Sequence, residues 1–383
     1  MDPSPETADA APPVHRIRWA SVIRGEKLLP LAWLTCLAFL ILPETLLAHL
    51  ERTEWLVCVF AWLFLIVLGC AVAVVRHAEH LAHHLGEPRG TLVLTLAVTS
   101  IEVMSVTAVM LHGENNPTLA RDTLFSVTMI VLNGMVGMSL LLGGLKHNEQ
   151  AYNLQGANAY LGLIIPLGVL AMVMPDFAHG AVGAYRRLPH QLFIAIFAFV
   201  LYVTFVFLQN RRMRGYFVED SAKVRDTRER PVDRGPGTSA ALLIAYMIPV
   251  VFLVDHLAVP IDYVMETLHA PIALGGLAMA ILVALPEGLG AIRAANRNEL
   301  QRSVNVFLGS VLSTIGLTVP AILLISRVTD HPITLGLDHS DLVLFVLTLF
   351  MSVVTFSSPR THLLQGAVHL MLFACFIFFV FFP

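Results

Sequence analysis

Residues 270–292 read APIALGGLAMAILVALPEGLGAI, an apolar run with one acidic side chain, Glu287, well inside it. A helix needs about 20 apolar residues to cross the ~30 Å hydrocarbon core of a bilayer, so this stretch reads as a membrane span with an acid in its interior. Residues 91–112, TLVLTLAVTSIEVMSVTAVMLH, repeat the arrangement, with Glu102 as the single full charge at mid-span. A carboxylate at that depth is costly and by default marks an ion or proton pathway. The plainer reading, a neutral Glu hydrogen-bonded between helices, suits one such residue better than two in equivalent positions of two halves.

The rest of the chain has the same character. Hydrophobic residues make up 56% of its 383 positions and charged ones 13%, against roughly 25% charged in soluble domains. Lipid must therefore cover much of the surface. A net charge of −3 points to neither nucleic acid nor an acidic partner. Cys36, Cys58, Cys70 and Cys375 lie inside apolar runs without metal-type spacing, so they read as buried membrane cysteines. No cleaved signal peptide is expected in the first 28 residues.

The hydrophobic runs define eleven spans, at 29–49, 54–75, 91–112, 123–145, 156–175, 190–209, 239–258, 270–292, 303–326, 341–358 and 362–382. With the N-terminus cytoplasmic, 19 of the 24 Lys and Arg residues fall on cytoplasmic segments. The remaining five, Arg52, Arg121, Arg186, Arg187 and Arg327, fall on the other face. That bias is what the positive-inside rule expects of a correct span count. The predicted fold is an all-α polytopic protein of the bacterial inner membrane. A cytoplasmic tail (1–28) and a first helix (29–49) precede two five-helix halves, 54–209 and 239–383, joined by a basic cytoplasmic linker, 210–238. An odd number of spans in each half gives the halves opposite orientation, an inverted repeat of the kind found in secondary transporters.

Around each glutamate the oxygen donors suit a hard cation. Thr95, Thr99 and Glu102 share one helical stripe. Pro286 withholds a backbone donor and so frees a carbonyl one turn earlier, and Gly275, Gly276, Gly288 and Gly290 permit close helix approach. Such broken geometry is tolerated at membrane depth where it lines a cavity. The helix after each glutamate is polar on one side: Ser126 and Asn133 in the first half, Ser303, Ser310, Ser313 and Thr314 in the second. Each of these stands equally as a site residue or as a packing residue bonded to its own helix. Carboxylate, hydroxyl and carbonyl oxygens suit calcium, which takes six to eight of them in irregular geometry. No Cys/His cluster competes for a softer metal. Burial disfavours a charged carboxylate, and a bound cation reverses the effect. The site should hold protons or a cation in turn, and alternating access would convert that exclusion into antiport.

These residues resemble the calcium:cation antiporter superfamily, specifically its bacterial calcium(sodium)/proton antiporter branch. The likeness covers nearly the whole chain. It rests on Thr99-Ser100-Ile101-Glu102 followed by HGENNPTLARDTLFSVTMIVLNGMVG and GGLKHNEQAYNLQGAN, and on ALPEGLGAIRAANRNELQRSVNVFLGSVLSTIGLTVPAI in the second half. The resemblance implies that Glu102 and Glu287 are the essential cation ligands. It also matches Ser310 and Ser313 to the superfamily's polar positions in the second half; in the first half its Gly-Ser pair falls at Ser126-Val127, with Asn133 as a looser candidate, while Thr99 joins the cation and proton site through its helical stripe. Vacuolar relatives carry Gly-Asn-Ala before the glutamate where this chain has Val98-Thr99-Ser100 and Ala284-Leu285-Pro286, and an acidic helix of some relatives is replaced by the basic linker. The implied ligands are protons with calcium, sodium or potassium. No cofactor and no nucleic acid are implied, and self-association into a homo-oligomer is compatible with the reading.

Three weaker features remain. His77, His80, His83 and His84 follow the second span and have the chemistry to sense pH, although an interfacial amphipathic turn is the plainer expectation. The linker could touch anionic lipid but more simply reads as a solvated tether. His112, Glu114 and Asp122 are placed on an outer loop where they could attract cations. A channel would instead show a pore ring contributed by subunits, and an intramembrane protease would need motifs that this chain lacks.

Overall fold

Apolar runs broken by proline or glycine at few points form helix after helix in the computed structural model, which describes residues 25–86, 89–112, 117–177, 188–217 and 235–382. The helices are α1 (Leu28–Ile41), α2 (Thr53–Leu85), α3 (Arg89–His112), α4 (Leu119–His147), α5 (Leu154–Val173), α6 (Leu188–Asn210), α7 (Pro236–Thr267), α8 (Ile272–Asn296), α9 (Leu300–Val328), α10 (His339–Thr355) and α11 (Leu363–Phe381). Among the described residues nine are long and apolar enough to cross a membrane, with α1 and α10 as shorter apolar helices. The tail up to residue 24, most of the linker (218–234) and Glu114 lie outside the described residues.

The two halves interlock. The glutamate helix α8 runs along α4 of the other half, and α3 meets α9 in the same crossed sense. The last helix of each half also crosses over, α11 onto α4 and α6 onto α9. At Gly276 of α8 an added Cβ would stand 2.8 Å from backbone atoms of Asp122 and Thr123, so only a residue without a side chain lets these helices touch backbone to backbone. Helices α1, α2 and α7 share a second apolar cluster that leans on α3 and α8. Glu26 ties this group together, accepting hydrogen bonds from Arg76 of α2 at 2.5 Å and Tyr246 of α7 at 3.0 Å. A two-residue antiparallel ladder, β1 (Gln150–Ala151) with β2 (Arg360–Thr361), pairs Gln150 with Thr361 and joins the α4–α5 and α10–α11 connections.

The structure corrects several sequence expectations. The first span stops at Ile41, and a short helix, Pro43–Leu47, follows, because Pro43 lacks the N–H needed to continue. The second span runs on to Leu85 and is capped at Gly86, whose φ of 63° suits glycine. The four histidines are therefore helical. His77 is fully buried and stacks on Tyr246 at 5.8 Å, so it is no interfacial turn residue. Asp122 is not on a loop but in the first turn of α4, buried beside Arg121. Pro286 leaves α8 unbroken. π-helical turns occur instead at Ile130–Met135 and Thr314–Thr318 in the polar helices, and also at Val169–Val173 and Tyr263–Thr267. In α9 the cause is local: Pro320 cannot donate to the carbonyl of Gly316, four residues back.

Candidate cation-binding site

Glu102 lies at mid-length of α3, 2% exposed. Thr318, at the end of the π turn in α9, donates its hydroxyl to Oε2 of Glu102 at 2.6 Å. Thr314, at the start of the same turn, also faces the carboxylate. The wider π turn brings these two hydroxyls from the opposite half toward one acid. Among the described residues the other carboxylate oxygen, Oε1, has no hydrogen-bond partner, and neither have the hydroxyls of Thr99 and Ser105, three residues to either side, nor that of Thr107 farther round the helix. Buried polar atoms are nearly always satisfied, so the group around Glu102 has donors and acceptors to offer a ligand. Thr99 thus stands where the sequence expects it. Ser105 was not singled out there, although the three-residue spacing from Glu102 puts it on the same stripe.

Glu287 has a different setting. It lies at the inner end of a cavity of about 490 Å³ that opens on the side bearing the linker. Ser310 of α9 hydrogen-bonds it, and its charge is near enough to act on Glu102. Thr95 and Tyr202, which hydrogen-bond each other, line the same cavity. So does Ser313, whose hydroxyl donates to the Ser310 carbonyl at 2.8 Å, the self-bonded option for a membrane serine. Among the described residues no basic side chain is paired with either glutamate. Phe125 of α4 packs edge-on against Phe345 of α10 and Phe376 of α11, with ring centroids 6.5 and 5.5 Å away, in the apolar core.

Two expected residues are not brought to the carboxylates. Asn133 is buried in the π turn of α4. Its amide donates to Thr348 of α10 at 2.8 Å, and its oxygen lies 3.1 Å from Nδ1 of His369 in α11. The far ring nitrogen of His369 meets Thr355 at 2.9 Å. Asn133 therefore joins three helices and faces away from the acids. Ser126 is buried in α4 and, among the described residues, is not bonded to either glutamate. Thr318, Thr314 and Tyr202 take part instead. The donors beside the two acids are the hydroxyls of Thr314, Thr318 and Ser310.

Comparison with known proteins agrees with this architecture. The chain is 39% identical over 351 residues to a putative ionic transporter, y4hA, of Sinorhizobium fredii, covering 90% of this chain and 94% of that one. It is 38% identical over 319 residues to the sodium-potassium/proton antiporter ChaA of Escherichia coli, covering 82% and 86%. The crystal structure of the Ca2+/H+ antiporter YfkE shares the fold, with a TM-score of 0.69 at 19% identity over 92% of this chain and 100% of that one. The model of the sodium/calcium exchanger proteins matches residues 55–210 and 238–382, one block on each side of the linker. With its two glutamate helices crossing between inverted halves, the chain belongs to the sodium/calcium exchanger protein family.

Proposed function

We propose that the protein is a secondary active transporter that exchanges a cation for protons by alternating access, with Glu102 and Glu287 holding one or the other in turn. The observation that carries the reading is the pair itself. Two carboxylates from opposite halves lie in the protein interior, the charge of Glu287 within reach of Glu102, with hydroxyl neighbours and, among the described residues, no basic side chain paired with either. Such a pair is stable when neutralised, and protons or a cation supply the neutralisation. The cavity lined by Glu287 gives the cation a route to that acid, as alternating access requires of one of its states.

The donor set suits a hard cation: calcium, sodium or potassium. Exchange of sodium or potassium alone is the narrower reading, and the named substrates of the E. coli relative support it; calcium is supported by those of YfkE. The excess of Lys and Arg on one set of segments supports an N-terminus and linker in the cytoplasm of a bacterial cell, with halves 54–209 and 239–383 spanning its inner membrane. The test is dye-quenching in everted vesicles, with calcium, sodium and potassium each driving proton movement. Glu102→Gln and Glu287→Gln should each abolish exchange while accumulating normally in the membrane. Full activity in either variant refutes the assignment.

A further inference from the structure

The cavity that leads to Glu287 is unusual for a cation pathway. Besides Glu287 its charged lining residues are Glu79 of α2, Arg302 of α9 and Arg214 just beyond α6. Two guanidinium groups and one carboxylate thus stand between the linker-side solvent and the binding acid. Arg302 lies 3.9 Å from Glu79, and its other arm lies 3.8 Å from Glu299. The carboxylate best placed to attract incoming cations therefore already has a tethered one. Arg302 precedes Ser310, the partner of Glu287, by eight residues on α9, which is about 12 Å of helix rise. Helical side chains lean toward the N-terminus, so the guanidinium stands more than one Debye length from the site at 0.1 M salt; at 0.01 M, where that length is about 30 Å, its charge reaches the site inside a cavity with low-dielectric walls.

We infer that Arg302 is a specificity-determining residue: its charge in the vestibule, tied to Glu79, favours monovalent over divalent cations at the Glu287 site. The inference rests on the antiport reading and adds a substrate class to it. Repulsion by a fixed charge is proportional to the charge of the arriving ion, so it acts on a divalent cation twice as strongly in free energy. Any factor by which Arg302 weakens a monovalent cation is squared for a divalent one. A tie that only held α9 to α2 would carry no such dependence on ionic charge.

The experiment measures apparent KM for sodium and potassium in everted vesicles, and for calcium either a KM as substrate or an inhibition constant as competitor. Ionic strength is held low and constant with choline chloride. Arg302→Gln should lower the monovalent constants roughly threefold and the calcium constant about tenfold, the latter being the square of the former. Arg302→Lys keeps the charge and should retain the wild-type ratio. Glu79→Gln should move the ratio the other way, and it decides alone should Arg302→Gln fail to accumulate in the membrane. Equal factors for both ion classes, or unchanged constants, overturn the inference while leaving antiport standing. Wild-type vesicles that move no protons with any cation overturn the antiport reading itself.

Discussion

Replacing Arg121 by methionine should cost far more stability than removing either exposed charge near it. The Arg121 side chain is 7% exposed and donates Nε to Asp122 Oδ1 at 2.8 Å, where Asp122 is 6% exposed. Its other arm reaches the Gly336 carbonyl at 2.8 Å and Asp338 at 2.9 Å, but Asp338 is 74% exposed. Solvent screens that second arm, so Asp338→Asn should cost less than about 1 kcal/mol. Arg121→Met leaves the Asp122 carboxylate buried, with the Thr118 hydroxyl at 3.3 Å as a poor substitute donor. Breaking a buried pair from one side costs on the order of 3–5 kcal/mol because it strands a charge. The Arg121→Met/Asp122→Asn double variant removes that charge and should regain most of the loss, leaving about 1–3 kcal/mol for unsatisfied polar groups. Thermal melting of the detergent-solubilised protein ranks the three variants. If Asp338→Asn lowers the midpoint as much as Arg121→Met, or if Asp122→Asn fails to rescue, the reasoning is wrong. The pair matters because the Asp122 backbone abuts Gly276 on the Glu287 helix. A loosened first turn of α4 would open the face opposite the cavity.

Two further variants separate site from scaffold. Thr318→Val keeps the shape but removes the donor to Glu102, a hydrogen bond to a charged group worth about 1.5–3 kcal/mol; the apparent KM for the driving cation should rise at least about tenfold, while Thr318→Ser stays near wild type. A Thr318→Val variant with an unaltered KM would remove Thr318 from the site. Asn133→Leu leaves His369 and Thr348 without their buried partner, so it should lower the melting midpoint while the cation KM of the folded protein is unchanged. A raised KM at a normal midpoint would return Asn133 to the ligand set.

Much of this was legible in the residues because the bilayer imposes length and polarity together. Eleven apolar runs and a skewed distribution of Lys and Arg are enough to count helices and to invert one half against the other. Glu102 and Glu287 stood out because each is the lone full charge in its span. Boundaries failed where hydropathy does not mark the end of a helix. The histidines after Val75 look like a turn on a polarity scale, yet nothing before Gly86 stops the helix. Asp122 was misplaced for a related reason: its charge suggested a loop, and the arginine that permits burial is its own neighbour in the chain.

The partners of the carboxylates were harder to read, and the reason is geometric. Spacing along a helix says which side chains share a face but not which face looks across at another helix. On regular α-helical spacing Asn133 and Ser126, seven residues apart, would share one stripe of α4. The π turn at Ile130–Met135 shifts the phase of everything beyond it, and Asn133 ends against α10 and α11. In α9 the corresponding turn carries Thr314 and Thr318, four residues apart, to the acid of the other half. The signal for that turn was present in Pro320. A proline four residues beyond Gly316 leaves the Gly316 carbonyl without its donor, and the turn widens between two threonines. Partners across an inverted repeat therefore become predictable only when such phase breaks are located first. Hydroxyl-rich stripes read on regular helical periodicity will point to the wrong neighbour whenever a break intervenes.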